Sequence, residues 1–314
     1  MTVTINKLAK AEIEISGEIS AADFALYRQP ALHKLQAGIN LPGFRPGHVP
    51  EAVLLDQIGE DRLLTEMAEL ALQENYPKII LENKIDAIGR PEITLTKLAK
   101  DNPLGFKIKT AVHPEITLPD YRQIAGQTNA NPLAEIKVED KEVAEILAEL
   151  EKNKADLSKI ENPTETIKEN LRLEKMSKQK DKRRLEIVSA IADQTTMELP
   201  KILIESELDK MLAEMKNQTE RMGLKFEDYL KHLKKTETDL RTEWRADAEK
   251  RLKTALVLAK IAEQEKIGAP ETEVAAEIKH LKEHYPDAPE ERLRQYVGNI
   301  LVNEYVFRFL EEQK

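Results

Sequence analysis

Along the first 118 residues the apolar positions change period repeatedly. Ile13 and Ile15 alternate with Glu12 and Glu14, and Ile93 and Leu95 alternate with Thr94 and Thr96. Phe106, Ile108, Thr110 and Val112 do the same, with Lys107 and Lys109 facing out. A period of two is the mark of a half-buried strand. Between these runs Phe24, Tyr27, Ala31 and Leu35, and then Leu63, Met67, Leu70 and Ala71, recur at helical spacing. The pattern predicts a small antiparallel sheet with helices covering one face, an α+β domain over residues 1–118.

From Leu118 to Asp140 the periodicity fades among Pro119, Gly126, Pro132 and several Asn and Gln, which predicts an extended linker. Val143, Ile146, Leu147 and Leu150 then mark a short amphipathic helix that ends near Pro163, so 119–163 reads as linker with a short helix. Residues 164–314 are helical in pattern throughout. Pro200 opens a helix with Ile204, Leu208, Met211, Leu212 and Met215 on one face. Leu240, Trp244, Ala248, Leu252 and Leu256 step by four along another, which Thr236 caps and Gly268 with Pro270 end. Val274, Ile278 and Leu281 mark a third, closed by Pro286; Leu293, Val297, Ile300 and Leu301 mark the last. No fixed internal period points to a solenoid.

A chain of 314 residues is long enough for roughly two domains at about 150 residues each. Aromatics at 4% and charged residues at 33% fit long exposed helices better than one large globule, so the expected form is multidomain, mainly helical and elongated. The net charge of −9 leaves nucleic-acid binding to a local patch. The chain has no cysteine, which rules out disulfides and thiol catalysis. Neither the apolar core of a signal peptide nor a membrane-spanning run is visible, so a cytoplasmic location is expected.

Leu41-Pro42-Gly43-Phe44-Arg45-Pro46-Gly47-His48-Val49-Pro50 carries the candidate chemistry. Its glycines and prolines cannot continue a helix, which makes a stiff turn with Phe44 and Arg45 near its tip. An exposed ring beside a guanidinium suits a partner offering phosphate or carboxylate and a surface to stack on. Spacing alone leaves open a turn whose Phe44 folds back into the core.

The run Gly43-Phe44-Arg45-Pro46-Gly47-His48-Val49-Pro50 resembles the Gly-Phe-Arg-x-Gly-Lys-x-Pro signature of trigger factor, the bacterial chaperone of the ribosomal exit tunnel. Only the Lys differs among the fixed positions, being His48. The resemblance extends to Ile116-Thr117-Leu118-Pro119-Asp120-Tyr121, similar to the family's exit from its N-terminal domain, and to Glu198-Leu199-Pro200 before the first helical arm. It implies that Gly43, Phe44, Arg45, Pro46, Gly47, His48 and Pro50 bind the ribosome, at an exit-tunnel protein and rRNA. It also implies that 164–314 is the client-binding chaperone domain with protruding arms, that nascent or unfolded polypeptides bind there without nucleotide or other cofactor, and that the chain self-associates as a homodimer. It further implies a part in protein folding, with ties to cell division and protein export. The family's prolyl isomerase domain is expected to be missing, because Tyr121 is the only aromatic between Pro119 and Pro200 and an isomerase pocket needs several aromatic walls. The chain is then not an enzyme.

Client contact falls to Met211, Met215, Met222, Leu224, Phe226 and Tyr229, since flexible thioethers adapt to many apolar segments. Helix-on-helix packing is the competing role for each, least so for the tip around Gly223. A free holdase without ribosome binding is the alternative function. His280-Leu281-Lys282-Glu283-His284 fits an inverted zinc-protease pattern but sits at a charged helix end with no third ligand in view, so no metal is expected. Eight basic residues between Lys168 and Arg184 read as a solvated helix face before they read as an rRNA contact.

Overall fold

The computed structural model describes residues 1–39, 41, 44, 48–152 and 162–314. They fall into two compact units, one of residues 1–115 with 197–249 and the other of 116–196 with 250–314.

In the first unit, β1 (Thr2–Leu8), β2 (Glu12–Ile19), β3 (Ala87–Lys97) and β4 (Leu104–Val112) form an antiparallel sheet in the order β1-β2-β4-β3. The alternation read from the sequence is the register seen here. Ile15 pairs with Ile108 and Ile13 with Thr110, and Ile15, Phe106 and Ile108 are buried while Lys107 and Lys109 are exposed. β3 is an edge strand interrupted by an irregularity between Ile88 and Glu92, where Gly89 takes a positive φ. That position explains why Ile93, expected to be half-buried, is exposed.

Helices α1 (Ala21–Ala25), α2 (Arg28–Gly38), α3 (Glu51–Ile58) and α4 (Glu60–Glu82) close one core with the sheet. Phe24, Ala31, Leu54, Leu63, Met67 and Ala71 lie inside it. To the same unit belong α8 (Lys201–Arg221), α9 (Phe226–Leu233) and residues 237–249 of α10 (Glu237–Glu265). Glu198 ties these helices to the sheet: the β1–β2 turn holds Lys10 and Ala11 at positive φ, and both backbone N–H groups donate to its carboxylate. Successive amides in a left-handed turn make such an anion-binding concavity.

The second unit contains α5 (Tyr121–Ala130), α6 (Asp140–Lys152), α7 (Pro163–Gln194), the C-terminal part of α10, α11 (Glu271–His284) and α12 (Glu290–Glu311). The expected linker is therefore broken by a helix. Asp120 caps α5 by accepting from the Gln123 N–H, after Pro119. Its buried face is Ile124, Ala125 and Gly126, one large apolar side chain beside two small residues, which is too little to show as apolar periodicity. A Cβ on Gly126 would come within 2.4 Å of the Lys314 carbonyl oxygen, so only glycine allows this approach. The Asn129 side-chain amide donates to the carbonyls of Leu310 and Gln313, both at 2.9 Å, and so closes the end of α12. Tyr121 and Arg122 reach Glu265 of α10, Arg122 in bidentate fashion at 2.7 and 2.8 Å. Thr117 and Thr196 exchange backbone hydrogen bonds, both 3.1 Å, so the chain enters and leaves the α5–α7 segment at one place.

Candidate functional site

Two regions carry the residues singled out by sequence. The first lies between α2 and α3. The chain leaves the core at Ile39 and Leu41, which pack against it, and returns at Val49, which is buried. Gln36 spans this base, its side-chain amide donating to the Val49 carbonyl at 2.7 Å. Pro50 is the N-cap residue of α3, and its carbonyl accepts from the Leu54 N–H at 2.9 Å. Below the base, Arg28 of α2 bridges Glu51 of α3 and Glu60 of α4, each at 2.8 Å. Its guanidinium holds the Glu60 carboxyl below the usual carboxylate range. Lys34 of α2 pairs with Glu66 of α4 at 2.5 Å.

On this clamped base Phe44 is 39% exposed, its N–H donating to the Leu41 carbonyl at 3.1 Å. It does not fold back into the core. His48 is exposed as well. Gly43, Arg45, Pro46 and Gly47 lie outside the described residues.

The second region is the end of α8 with α9. Leu212 of α8, Phe226 of α9 and Leu240 of α10 are buried together, with Met215, Tyr229, Leu230 and Trp244 against them. Phe226, at 5% exposed, is thus a core residue of this tip and not a surface contact, a correction to the sequence reading. Met211, Met215 and Tyr229 are half-buried. Met222 and Leu224 are presented outward, 61% and 49% exposed.

Their exposure follows from the helix end. The Gly223 N–H donates to the Glu220 carbonyl and the Leu224 N–H to the Thr219 carbonyl, with Gly223 at φ 77, the two bonds of a Schellman cap. That turn throws Met222 and Leu224 to either side of Gly223. Leu233, which the sequence reading passed over, is exposed on the same short helix α9, and its spacing of four from Tyr229 was the available signal. Arg241 and Arg245 of α10 pair with Glu205 of α8 at 3.3 and 3.0 Å, holding the two long helices side by side behind the tip.

The His280 and His284 rings meet edge to face at 5.5 Å, and among the described residues no group of three or more acidic or His side chains gathers in a form that could hold a metal. In the basic run, Lys175 pairs with Glu142, Lys178 with Glu174 and Arg184 with Glu304 and Glu311. Among the described residues no helix is long and apolar enough to cross a membrane.

The family model described as bacterial trigger factor protein (TF) matches residues 1–150, and that described as bacterial trigger factor protein (TF) C-terminus matches 159–314. The chain belongs to the trigger factor family. Its function is that of the family, ATP-independent, ribosome-associated chaperoning of polypeptides. Trigger factors of Agathobacter rectalis and Bacillus subtilis are 21% and 22% identical, over 95% of this chain and 91% and 95% of theirs. That of Moorella thermoacetica is 22% identical over 97% of this chain and 92% of its own. A solved trigger factor chaperone structure, from work on promiscuous substrate recognition in folding and assembly, superposes over the whole of both chains with a TM-score of 0.59 at 15% identity, which shows a shared fold.

The Agathobacter rectalis alignment runs to 403 positions, of which this trigger factor supplies 95% of 314, about 298. Some 105 positions (403 − 298) of that relative therefore have no counterpart here, and the two family models leave only 151–158 between them.

Proposed function

We propose that this trigger factor docks at the ribosomal exit tunnel through the loop of Gly43, Phe44, Arg45, Pro46, Gly47, His48 and Pro50, on an exit-tunnel protein and neighbouring rRNA. The observation that carries the reading is Phe44 held outward on a base fixed by Gln36, Val49 and Arg28. A fixed base matters because a preorganised loop loses less freedom on binding. The loop has Arg45 as its one fixed cation, since His48 stands where the family's signature has Lys and Pro46 carries no charge. Docking is therefore weak and only shallowly dependent on salt, because the slope follows the number of phosphates neutralised. Ribosome co-sedimentation across a salt series tests this, and tight binding that collapses between low and moderate salt would count against it.

Met222 and Leu224, backed by Met211, Met215 and Tyr229, engage unfolded chains as they emerge. Contacts are many and weak, as a cycle without nucleotide requires for release. Met222→Ser with Leu224→Ser removes exposed apolar surface and leaves the Phe226 core intact. It should lower aggregation suppression by about threefold, the scale expected for losing part of a multivalent apolar surface; light scattering of a refolding client reads this, and undiminished suppression would remove these two residues from the site. Phe226→Ala acts differently: it opens the tip core and shows as lost stability.

The chain carries no prolyl isomerase activity in this reading. The roughly 105 unmatched positions and the near-absence of aromatics between Pro119 and Pro200 support it. A protease-coupled isomerisation assay on a short X-Pro peptide is expected to give the uncatalysed rate. The protein works in the cytoplasm and self-associates when off the ribosome, which sedimentation velocity would reveal as a concentration-dependent dimer.

A further inference from the structure

β3 lies at the edge of the sheet, and the side of it that faces the helices is incompletely covered. Ile93 pairs with Ile108 and Leu95 with Phe106, so their side chains share a face with two buried core residues. Ile93 is nevertheless 47% exposed. Where a core would continue over it there is a groove of about 510 Å³, walled by Leu72 and Tyr76 of α4 and by Pro91, Ile93 and Leu95 of β3. A mainly apolar groove of this size is of the kind that holds a ligand. The edge beside it is open for a short stretch. Irregular pairing at Ile88–Glu92 and again at Leu95–Lys97 brackets a regular run from Glu92 to Leu95, and Pro91 has no N–H to offer. Prolines and bulges keep a sheet edge from pairing at random; here they close β3 on either side and leave the groove free.

Polar groups from α4 give the groove a direction. Glu69 and Gln73 line it, and among the described residues neither makes a hydrogen bond or an ion pair. Lys34, the cation that senses the charge of Glu69, is bonded to Glu66 instead. α4 runs antiparallel to β3: Lys100, just beyond β3, reaches Glu60 at the start of the helix at 3.6 Å, and Tyr76 near its end donates to the Thr110 hydroxyl at 3.2 Å, between the partners of Ile88 and Glu92. Tyr76 therefore stands at the Pro91 end. Glu69, seven residues earlier, lies about 10 Å along the helix toward Leu95. From Pro91 to Leu95 the groove offers an apolar wall, a second apolar wall and then a free carboxylate. Every second residue of a regular edge strand turns its N–H and C=O outward. Main-chain groups beside a slot for alternate side chains are the elements of strand addition, where the backbone gives affinity and the side chains give specificity.

We propose that the groove between β3 and α4 binds a short strand of a partner protein, added to the sheet edge antiparallel to β3, and that it selects one Lys or Arg followed by two apolar side chains at alternate positions. The cation meets Glu69, and the apolar pair lies over Ile93 and beside Tyr76. Antiparallel addition continues the pairing that every strand of this sheet already has. Reading of order and charge sets the groove apart from the α8–α9 tip, whose thioethers adapt to many apolar segments. Neither the docking loop nor the tip takes part, so the proposal stands or falls without them.

The test titrates the full chain with a labelled peptide, Thr-Lys-Thr-Val-Thr-Val-Thr, by fluorescence anisotropy. This peptide is expected to bind, and Thr-Glu-Thr-Val-Thr-Val-Thr to bind about fivefold more weakly, the scale of an ion pair at a partly exposed site. Glu69→Lys should reverse that preference. Methylating alternate main-chain nitrogens gives two further versions of the Lys peptide, each blocked along one edge. One should bind like the parent and the other should not bind, because an added strand pairs through a single edge. Ile93→Lys sets a charge on the open edge and should weaken binding about tenfold; if circular dichroism shows that this variant does not fold, the Glu69→Lys reversal decides in its place. The proposal is overturned by no detectable binding, by equal affinity for the Lys and Glu peptides, or by methylated versions that behave alike. Displacement of the Lys peptide by an equal concentration of a permanently unfolded protein also overturns it, since the groove would then be part of the general client surface.

Discussion

Phe44→Ala combined with Arg45→Ala is expected to abolish ribosome co-sedimentation at physiological salt while leaving the fold unchanged. The ring at 39% exposure contributes nothing to the core that Leu41, Val49 and Leu54 complete, so the unfolding transition should stay where it is in the parent. Against a partner, an aromatic and an arginine side by side are the residue types that carry most binding energy, about 2 kcal/mol or more each when they sit at the centre of a contact. A loss of about 3 kcal/mol is roughly a hundredfold in affinity, enough to take an already weak complex below detection. Arg45→Ala alone should flatten the remaining salt dependence, because it removes the fixed charge. Phe44→Ala alone should weaken docking equally at all salt concentrations. Pelleting by the double variant at the parent's level would leave the loop without a role, and a parallel aggregation-suppression assay should show the tip still working. The same comparison separates a ribosome-docked chaperone from one that acts only in free solution.

Much of the β1–β4 sheet and its helices was legible in the sequence because its physics is local. Alternation in 12–15 and 106–112 is sufficient to place a face inward, and the sheet register follows from it. Whether Phe44 turned inward was not legible, because it depends on how Ile39, Leu41 and Val49 anchor the base, which is tertiary. Helix α5 escaped for a related reason. Its buried face sets Ile124 beside the small Ala125 and Gly126, so a single large apolar side chain gives no helical period, and the close approach of Gly126 to the Lys314 backbone does the rest. Only the Asp120 cap after Pro119 announced it.

At the tip, the sequence marked the right stretch without sorting it. Phe226, Tyr229, Leu230 and Leu233 all lie on two turns of α9, and which of them face Leu212 and Trp244 is set by how α9 folds back on α8 and α10. The Gly223 turn was the legible part, and it is the part that exposes Met222 and Leu224. The basic run from Lys168 to Arg184 shows the limit most plainly. Composition treats its eight cations alike, yet Arg184 faces inward to acids 120 and 127 residues away, and Lys175 and Arg183 hold main-chain carbonyls.

Arg184 therefore supports the second large prediction. Its side chain is 12% exposed, donates to Glu304 at 2.7 and 2.9 Å and to Glu311 at 2.6 Å, and lies 5.1 Å from the Phe307 ring centroid. Arg184→Ala would leave Glu304 only the more exposed Arg308 at 3.2 Å and Glu311 only Lys180 at 3.7 Å, and breaking a largely buried pair from one side costs about 3 kcal/mol. Because Glu304 and Glu311 are partly reachable by water, about 2 kcal/mol is the lower end of that expectation. Arg184→Lys keeps the charge but not the fork that serves two acids at once, so it should recover less than half of the loss. The pH dependence supplies the check on mechanism. The hydrogen bond from Arg184 is the main reason the Glu304 carboxyl sits below its ordinary value of 4.5. A depressed carboxylate contributes stability that is fully present above the unfolded value and is lost as pH falls through the folded one. Denaturant unfolding at pH 7 should thus separate parent and Arg184→Ala by the full amount, and the separation should shrink steadily below pH 4.5 as Glu304 takes up a proton. A separation that persists undiminished at pH 3 would mean that Arg184 acts through its packing on Phe307 and not through its acids.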